Sequence, residues 1–424
     1  MAPSYADELA YLYGLSPRGV KLGLERVEEA LALRGDPHRG LSVVHVAGTN
    51  GKGSVSATLE TIARRSGLRT GLYTSPHLHR FVERIRIDGR PIGEREAARR
   101  IESLRTQPGL PPLTFFECAT ILAFEAFRDA KVELVVLEVG LGGRLDATNV
   151  IDPRVAAITQ IGLEHQQWLG DTIPAIAREK AGIAKKDRPL VVGTREPTAV
   201  SAIVAHASAV GAPVRLRGRE FDAVEHDGRL RFEGLGLALD DLALGLRGSH
   251  QVDNAVTALA VVAELRRSGF DLPEAAVRKG LAGVKWPARL ERVPGRPALL
   301  LDAAHNPDGC AVLADHLRAM PRRGRTVLLF GAMADKDHEA MLRCFDGVVD
   351  ARIYAVPSMG RAPDPAIFPS VRPGEVAADV STGLARAKSL AGPGGLVVVA
   401  GSIFVVAAVR AEVLGLRSDP PIGM

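Results

Sequence analysis

The stretch from Leu41 to Ser54, LSVVHVAGTNGKGS, limits what the rest of the chain can become. Val43, Val44, Val46 and Ala47 around a single histidine read as a buried strand that runs straight into glycines and a lysine. Gly48, Gly51 and Gly53 let the backbone turn tightly and bring its N–H groups close to an anion, because a side chain there would block the approach. Lys52 adds a point positive charge. Beyond Ser54, apolar residues at Val55, Leu59, Ile62 and Ala63 fall at helical spacing, so the reading has a helix starting there with its N-terminus facing the same anion. The common pattern GxxxxGKS/T is not met, since Val46 stands at the first glycine and Gly53 follows the lysine. A variant phosphate loop is the expectation; the plainer alternative is a glycine-rich strand-to-helix turn with an exposed lysine.

A chain of 424 residues has room for two or three domains of about 100 to 200 residues each. Its composition, 46% hydrophobic and 24% charged, is that of a globular protein and excludes fibrous or disordered classes. The net charge of +5 is spread without a long basic run, which argues against nucleic acid as the main partner and suits a small anionic substrate or nucleotide. Cys118, Cys310 and Cys344 lie far apart with no CxxC spacing, so neither a disulfide framework nor a zinc site is indicated. The beginning, MAPSYADELAYLYGL, carries Asp7 and Glu8 and lacks the basic start of a signal peptide. No uncharged apolar run reaches the roughly 18 residues a membrane span needs, and a cytoplasmic location is expected.

Along the chain, RTGLYTSPHL (69–78) reads as a strand ending in a Ser-Pro loop, and Phe81 to Ile87 as an element ending at the Asp88-Gly89 turn. A charged helix over 94–106 presents Arg95, Arg99 and Arg100 as a solvated face, and Phe115, Ala119, Leu122 and Ala126 mark a core helix. ELVVLEVG (133–140) is apolar on both faces, as expected in the middle of a helix-covered parallel sheet, and ends on Glu138. RVAAITQIG (154–162) repeats the arrangement and leads to Glu164 and His165. Open parallel sheets bind ligands outside the carboxyl ends of their strands, so Lys52, Ser75, Glu138 and His165 are expected to gather at one edge. Lys180, by position, is simply a lysine in the middle of a helix that begins after Asp171 and Thr172. A further helix begins near 250 and carries Asn254 in its first turns.

The pattern breaks at VKWPARLERVPGRP (284–297), and a boundary is placed there, with domains of 1–288 and 289–424. Beyond it strands and helices alternate to the end, with a Pro-rich loop at 357–374, giving a smaller doubly wound α/β domain without a dinucleotide-type glycine fingerprint. In it, DAAHNP (302–307) puts Asp302 at a strand end, His305 in a loop and Pro307 at a helix start. Ligand contact and turn chemistry around Asn306 both fit that placement. Arg289 fits a phosphate contact or, by spacing, a surface pair with Glu291. Ser75, Glu138 and His165 fit a Mg²⁺ set built mainly on oxygen, though Glu138 as a loop cap and His165 as a core histidine are equally compatible.

The motifs GTNGKGS (48–54), TSPHL with FVERIRIDG (74–89), TFFE (114–117), EVGLGGRLDATNV (138–150), EHQQWLGDT with REKAGI (164–183), HQVDNA (250–255), WPARLE (286–291), DAAHNP (302–307) and FGAMADKD (330–337) together resemble the folylpolyglutamate synthase and dihydrofolate synthase family, a branch of the Mur ligases. They span residues 18 to about 410 in that family's order. The resemblance implies a Mur-type phosphate-loop ATPase domain with a parallel sheet followed by a smaller Rossmann-like domain. It also implies ATP-dependent amide formation: the γ-phosphoryl of ATP activates a pterin or folate carboxylate, and the amine of L-glutamate displaces phosphate. By the same resemblance Asn50, Gly51, Lys52, Gly53 and Ser54 cradle ATP, with Asn254, Arg289, Asp302 and His305 as further nucleotide contacts. Ser75 and Glu138 would bind one Mg²⁺, and His165 a second, beside Lys180 as a carbamate. Thr114, Phe115, Phe116 and Glu117 with Leu145, Asp146 and Ala147 match the pterin site. The catalytic set implied is Lys52, Lys180, His165 and Arg289.

Three departures stand out: Glu164 where an aspartate is usual, Ala288 in place of the glycine of WPGRLE, and Ala303 in place of that of DGAHNP. The LGLERV run (22–27) and LDATNV loop resemble bifunctional enzymes that add glutamate both to dihydropteroate and to the tail of reduced folates. A monofunctional folylpolyglutamate synthase and a ligase acting on a UDP-muramoyl peptide are the alternatives, and a monomer is the expected state.

Overall fold

The computed structural model describes residues 3–420 except 17, 18, 20, 322 and 357–362. Part of the Pro-rich loop expected at 357–374 therefore lies outside the described residues. The chain forms two compact units: residues 1–77, 81–245 and 250–285 in one, and residues 78–80, 246–249 and 286–424 in the other. The second unit thus takes two short segments, 78–80 and 246–249, from within the stretch that otherwise builds the first unit, which no sequence boundary indicates.

The first unit is built on eight strands: β1 (Val43–Ala47), β2 (Thr70–Tyr73), β3 (Ile85–Ile87), β4 (Arg90–Pro91), β5 (Leu134–Glu138), β6 (Val155–Ile158), β7 (Leu190–Val192) and β8 (Val214–Leu216). Their order is β4-β3-β2-β5-β1-β6-β7-β8, parallel except for β3 and β4. Val43 to Ala47 and Leu134 to Glu138 are buried throughout, because helices cover both faces of the sheet and leave no polar side to alternate with. The registers align the strand ends: Val46 sits opposite Glu138, Ala47 opposite Ile158 and Tyr73 opposite Leu137. Loops following β2, β5, β1 and β6 therefore leave the same edge side by side. Three further strands, β9 (Phe221–His226), β10 (Arg229–Gly234) and β11 (Leu237–Leu242), make a separate antiparallel sheet in this unit.

Six strands form the sheet of the second unit: β12 (Glu291–Val293), β13 (Ala298–Leu301), β14 (Thr326–Phe330), β15 (Ala351–Tyr354), β16 (Glu375–Val376) and β17 (Leu396–Ala400), ordered β12-β13-β17-β14-β15-β16. Alternate residues serve opposite cores: Leu299, Leu301, Val327, Leu329, Val397 and Val399 face one, Leu300, Leu328, Phe330, Val398 and Ala400 the other. That two-sided burial is the period of a strand read against helices on both faces. Arg100, expected on a solvated face, is instead mostly buried, pairing with Glu96 at 2.7 Å and Asp129 at 2.8 Å. Its long stem covers apolar surface while its fork finds two carboxylates. Among the described residues no helix is long and apolar enough to cross a membrane.

Candidate active site

The loop after β1 is shaped by close contacts that only glycine tolerates. A Cβ on Gly48 would lie 1.8 Å from the Thr159 hydroxyl oxygen, and one on Gly51, whose φ is +92°, would lie 2.2 Å from Asn254 Oδ1. Asn254 is held by donating from Nδ2 to Gln251 Oε1 at 2.9 Å. Thr159, just beyond β6, donates its hydroxyl to Asn50 O at 2.7 Å, pinning the loop from the neighbouring strand. The following helix begins at Lys52, three residues before the start at Val55 read from apolar spacing, with left-handed Gly51 as its N-cap and no side-chain cap. Apolar periodicity could not see that first turn, because Lys52, Gly53 and Ser54 carry no apolar side chain. Lys52, Gly53 and Ser54 thus form the first turn, where backbone N–H groups have no intrahelical acceptor and favour an anion.

Two lysines converge on this loop. Lys52 Nζ donates to Gly48 O at 2.9 Å and to Thr49 O at 3.0 Å. Lys180 Nζ, on the helix Ile173–Ala181, donates to the same Gly48 O at 2.9 Å and is only 4% exposed. Burial, reinforced by the Lys52 charge, pulls the Lys180 ammonium from the usual lysine range down to about 7. A substantial share of Lys180 is therefore a neutral, nucleophilic amine at neutral pH. Nothing in the spacing of REKAGI signalled this; the burial comes from the packing of that helix against the glycine-rich loop, where a Cβ on Gly143 would lie 2.8 Å from Lys180 O.

Glu138 ends β5 and is 4% exposed, and its Oε2 accepts from Ser75 N at 3.1 Å. A buried carboxylate offers oxygen ligands of the kind Mg²⁺ prefers, and Ser75 would add its hydroxyl oxygen. Among the described residues no cluster of three His, Cys, Asp or Glu could hold an ion. His165 adopts a left-handed conformation, φ 52°, at the head of the short helix Gln166–Leu169, with Nε2 4.0 Å from Glu164 Oε1.

The residues matched to a pterin site divide by how their polar atoms are used. Thr114 and Glu117 form a capping box on the helix Phe115–Asp129: Glu117 Oε2 accepts from Thr114 N at 2.7 Å, and Thr114 Oγ1 from Glu117 N at 3.3 Å. The other Glu117 oxygen accepts from Arg26 Nε at 3.1 Å and Nη2 at 2.8 Å, which ties the LGLERV run to TFFE. Asp146 accepts from Gly140 N at 3.0 Å and Leu141 N at 2.8 Å on one oxygen, and from Thr148 N and Oγ1 at 3.0 and 2.5 Å on the other. Both carboxylates thus organise backbone. Asp146 is held above the usual carboxylate range by its burial, against which these hydrogen bonds pull. Phe116 is partly exposed and lies over Gly140, where a Cβ would come within 2.4 Å of its ring. Phe115 faces away into Tyr13 and Phe81, with Leu145 half-buried and Ala147 buried nearby in sequence to Asp146.

One further residue of this region carries a buried charge that its spacing does not signal. Arg84, inside FVERIRIDG, is fully buried, with its guanidinium 4.9 Å from the Phe115 ring centre and its Nε donating to His77 Nδ1 at 2.8 Å. Burial lowers its affinity for the proton, while Tyr73, Tyr13 and Glu138 favour the charge. The signal available was an arginine among the apolar residues Phe81, Val82 and Ile85, all of them buried.

In the second unit, Asp302 is 7% exposed and accepts from Ala304 N at 2.9 Å on Oδ1 and from Leu290 N at 2.8 Å on Oδ2. His305 Nδ1 donates to Ala303 O at 2.8 Å, and Asn306 caps the helix Pro307–Ala319 by accepting from Gly309 N at 2.8 Å. The surface pair of Arg289 with Glu291, allowed by spacing, does not form. Glu291 is taken by Arg410 and by Ala288 N, and Arg289 Nη1 donates to Ala288 O at 3.1 Å. Ala288, in the place of a family glycine, still adopts φ +58°.

The Mur ligase middle domain profile matches residues 46–262, and the Mur ligase glutamate ligase domain profile matches residues 288–403. The chain is 39% identical over 349 residues to the dihydrofolate synthase/folylpolyglutamate synthase of Escherichia coli, covering 82% of this chain and 81% of that protein. It is 34% identical over 431 residues to the folylpolyglutamate synthase of Lacticaseibacillus casei, covering 98% of this chain and all of that protein (100%). Its structure is similar to that of Escherichia coli FolC in complex with DHPP and ADP, with TM-score 0.91, 36% identity and 98% of each chain covered. With both domain profiles matched in order and relatives of this identity over most of its length, the chain belongs to the dihydrofolate synthase/folylpolyglutamate synthase family of Mur ligases.

Proposed function

We propose that this enzyme joins L-glutamate to dihydropteroate, making dihydrofolate, and to the glutamate tail of reduced folates, at the expense of ATP. The observation that carries the reading is the pairing of Lys52 with buried Lys180 on Gly48 O, at the head of a helix whose first-turn N–H groups have no side-chain cap. The Lys52 charge and a helix N-terminus at one carbonyl suit a site where phosphoryl charge develops, and phosphoryl transfer depends mainly on such positioning and charge stabilisation. Lys52 and the first-turn amides hold the transferring phosphoryl. Thr159 and Asn254 keep the loop in shape for that task. Ser75, Glu138 and His165 would hold Mg²⁺, which when bound neutralises phosphate charge. Lys180, drawn down to about 7, presents the neutral amine whose nitrogen would bond to the carbon of carbon dioxide and release one proton to water, giving a carbamate anion. Phe116, in the first turn of the helix Phe115–Asp129 and against Gly140 of the loop after β5, offers a partly exposed ring for a flat pterin.

Arg289, Asp302 and His305 would contribute nucleotide contacts from the smaller domain. The bifunctional assignment is supported by the Escherichia coli relative, named for both synthase activities, over most of its length. Phosphate release in the presence of ATP, Mg²⁺, L-glutamate and either dihydropteroate or tetrahydrofolate tests it. Turnover with both acceptors is expected. Turnover with the folate alone would leave a monofunctional folylpolyglutamate synthase, and turnover only with a UDP-muramoyl peptide would overturn the reading.

A further inference from the structure

Arg289 sits on a backbone arch that the chain would not adopt unaided. Ala288 has φ +58° and Leu290 φ +44°, left-handed conformations that a Cβ disfavours, so both neighbours of Arg289 are strained. Such strain persists only where the surroundings over-determine it. On one side Leu290 N donates to Asp302 Oδ2 at 2.8 Å, and Ala303 N donates to Ala288 O at 2.9 Å. On the other side Ala288 N donates to Glu291 Oε2 at 2.8 Å.

Glu291 is itself clamped. Arg410, on the helix Ile403–Leu414, donates from Nε to Glu291 Oε1 at 3.0 Å and to Oε2 at 2.9 Å. Its Nη1 donates to His79 Nε2 at 2.9 Å, so the second ring nitrogen of His79 carries the proton and donates to Ser418 Oγ at 3.2 Å. Asp419 N donates to His79 O at 2.9 Å, and Arg80 pairs with Asp419 at 3.6 Å. Leu78 packs on the core cluster that contains Ala288. All of these residues belong to the second unit, and Leu78–Arg80 follows directly on the Ser75 loop in TSPHLHR.

We propose that Arg410 is a positioning residue for Arg289: through Glu291 it locks the strained Ala288–Leu290 arch that aims the Arg289 guanidinium, and His79 anchors it. The proposal rests on Arg289 being a nucleotide contact. Glu291 has the wrong partner for a surface salt bridge, since one of its oxygens is spent on Ala288 N and its charge on an arginine 119 residues away. Removing Arg410 frees Glu291 to leave Ala288 N or to capture Arg289, and either outcome draws Arg289 off its aim.

The test is a mutant cycle in the full chain, with ATP varied at saturating L-glutamate and pterin acceptor. Arg289→Ala is expected to raise KM for ATP about tenfold, the size of one charge-assisted contact. Arg410→Met is expected to raise it in the same direction by about threefold to tenfold, leaving KM for L-glutamate unchanged. The double variant should be no worse than Arg289→Ala alone, because Arg410 acts only through Arg289. Should Arg410→Met not fold, Arg410→Lys, which keeps the charge and loses the double hydrogen bond, carries the same cycle with a smaller effect. Normal ATP kinetics in Arg289→Ala would overturn the nucleotide-contact reading itself. An impaired Arg289→Ala combined with multiplicative effects in the double variant, or with no effect of Arg410→Met, would overturn the positioning role alone.

Discussion

A lysine on an exposed helix is a cation at any physiological pH, and Lys180 departs from that only because of where its helix is packed. Its Nζ shares Gly48 O with Lys52, and the cost of burying charge beside charge draws it down to about 7. Replacing it with alanine is expected to cut turnover by at least about a hundredfold, as loss of a group that stabilises developing charge does, while thermal unfolding stays within a few degrees of the parent. Phosphate release and calorimetry on the same sample check both. A second buried titratable group bears on stability. His45 in β1 is fully buried and burial pushes it down to about 3, while its Nε2 bonds Thr148 Oγ1 at 2.8 Å. Below about 6.5 the unfolded chain takes up a proton that the native His45 refuses, so stability falls as pH drops from about 6.5 towards 3, by up to about 1.4 kcal/mol per pH unit. In His45→Gln the loss between pH 7 and pH 5 should shrink by this amount, measured by urea unfolding at the two values. An unchanged slope would show that native His45 takes up its proton over the same pH range as in the unfolded chain.

At the scale of the element, the loop after β5 is the most heavily specified. One carboxylate, Asp146, accepts four hydrogen bonds that gather Gly140, Leu141 and Thr148 around it. Asparagine has the same shape but must turn an NH₂ towards donors whichever way it is placed, so at least one buried bond is lost. Asp146→Asn should cost about 1–3 kcal/mol of stability and raise KM for dihydropteroate more than KM for ATP. Gly140→Ala probes the same loop from its other side. Its methyl would meet the Phe116 ring, within 2.4 Å at Cζ, and must displace it. A several-fold rise in KM for the pterin acceptor is expected, restored in part when Phe116→Leu is added, and equal KM values in the single and double variants would count against a role for that ring.

At the scale of the whole molecule, each unit carries a hydrophobic core of its own, and the chain passes between them after His77, Arg80, Gly245, Ser249 and Lys285. Leu329, fully buried in β14, belongs to a hydrophobic core cluster of the second unit. Leu329→Ala should cost about 2–5 kcal/mol and speed amide exchange across β13, β14 and β17 well before it does so in β1 and β5. Uniform acceleration across both sheets would show that the two cores unfold as one. The amino-acid sequence by itself determined the family, the phosphate loop with Lys52, and the alternation of strands and helices in both halves, because these depend on short-range spacing. Glycines between a strand and a helix, and apolar residues at periods of two and 3.6, can be read locally. Apolar spacing places the helix start at Val55, three residues after the true start at Lys52, for want of apolar side chains in the first turn. Only the tertiary structure decided the rest: that Lys180 is buried against Gly48, that Arg84 is a buried cation, that Glu117 and Asp146 hold backbone, and that Glu291 pairs with Arg410 and not with Arg289. Burial, and the choice among several carboxylates for one cation, are set by residues far apart in the chain, and no local period encodes them.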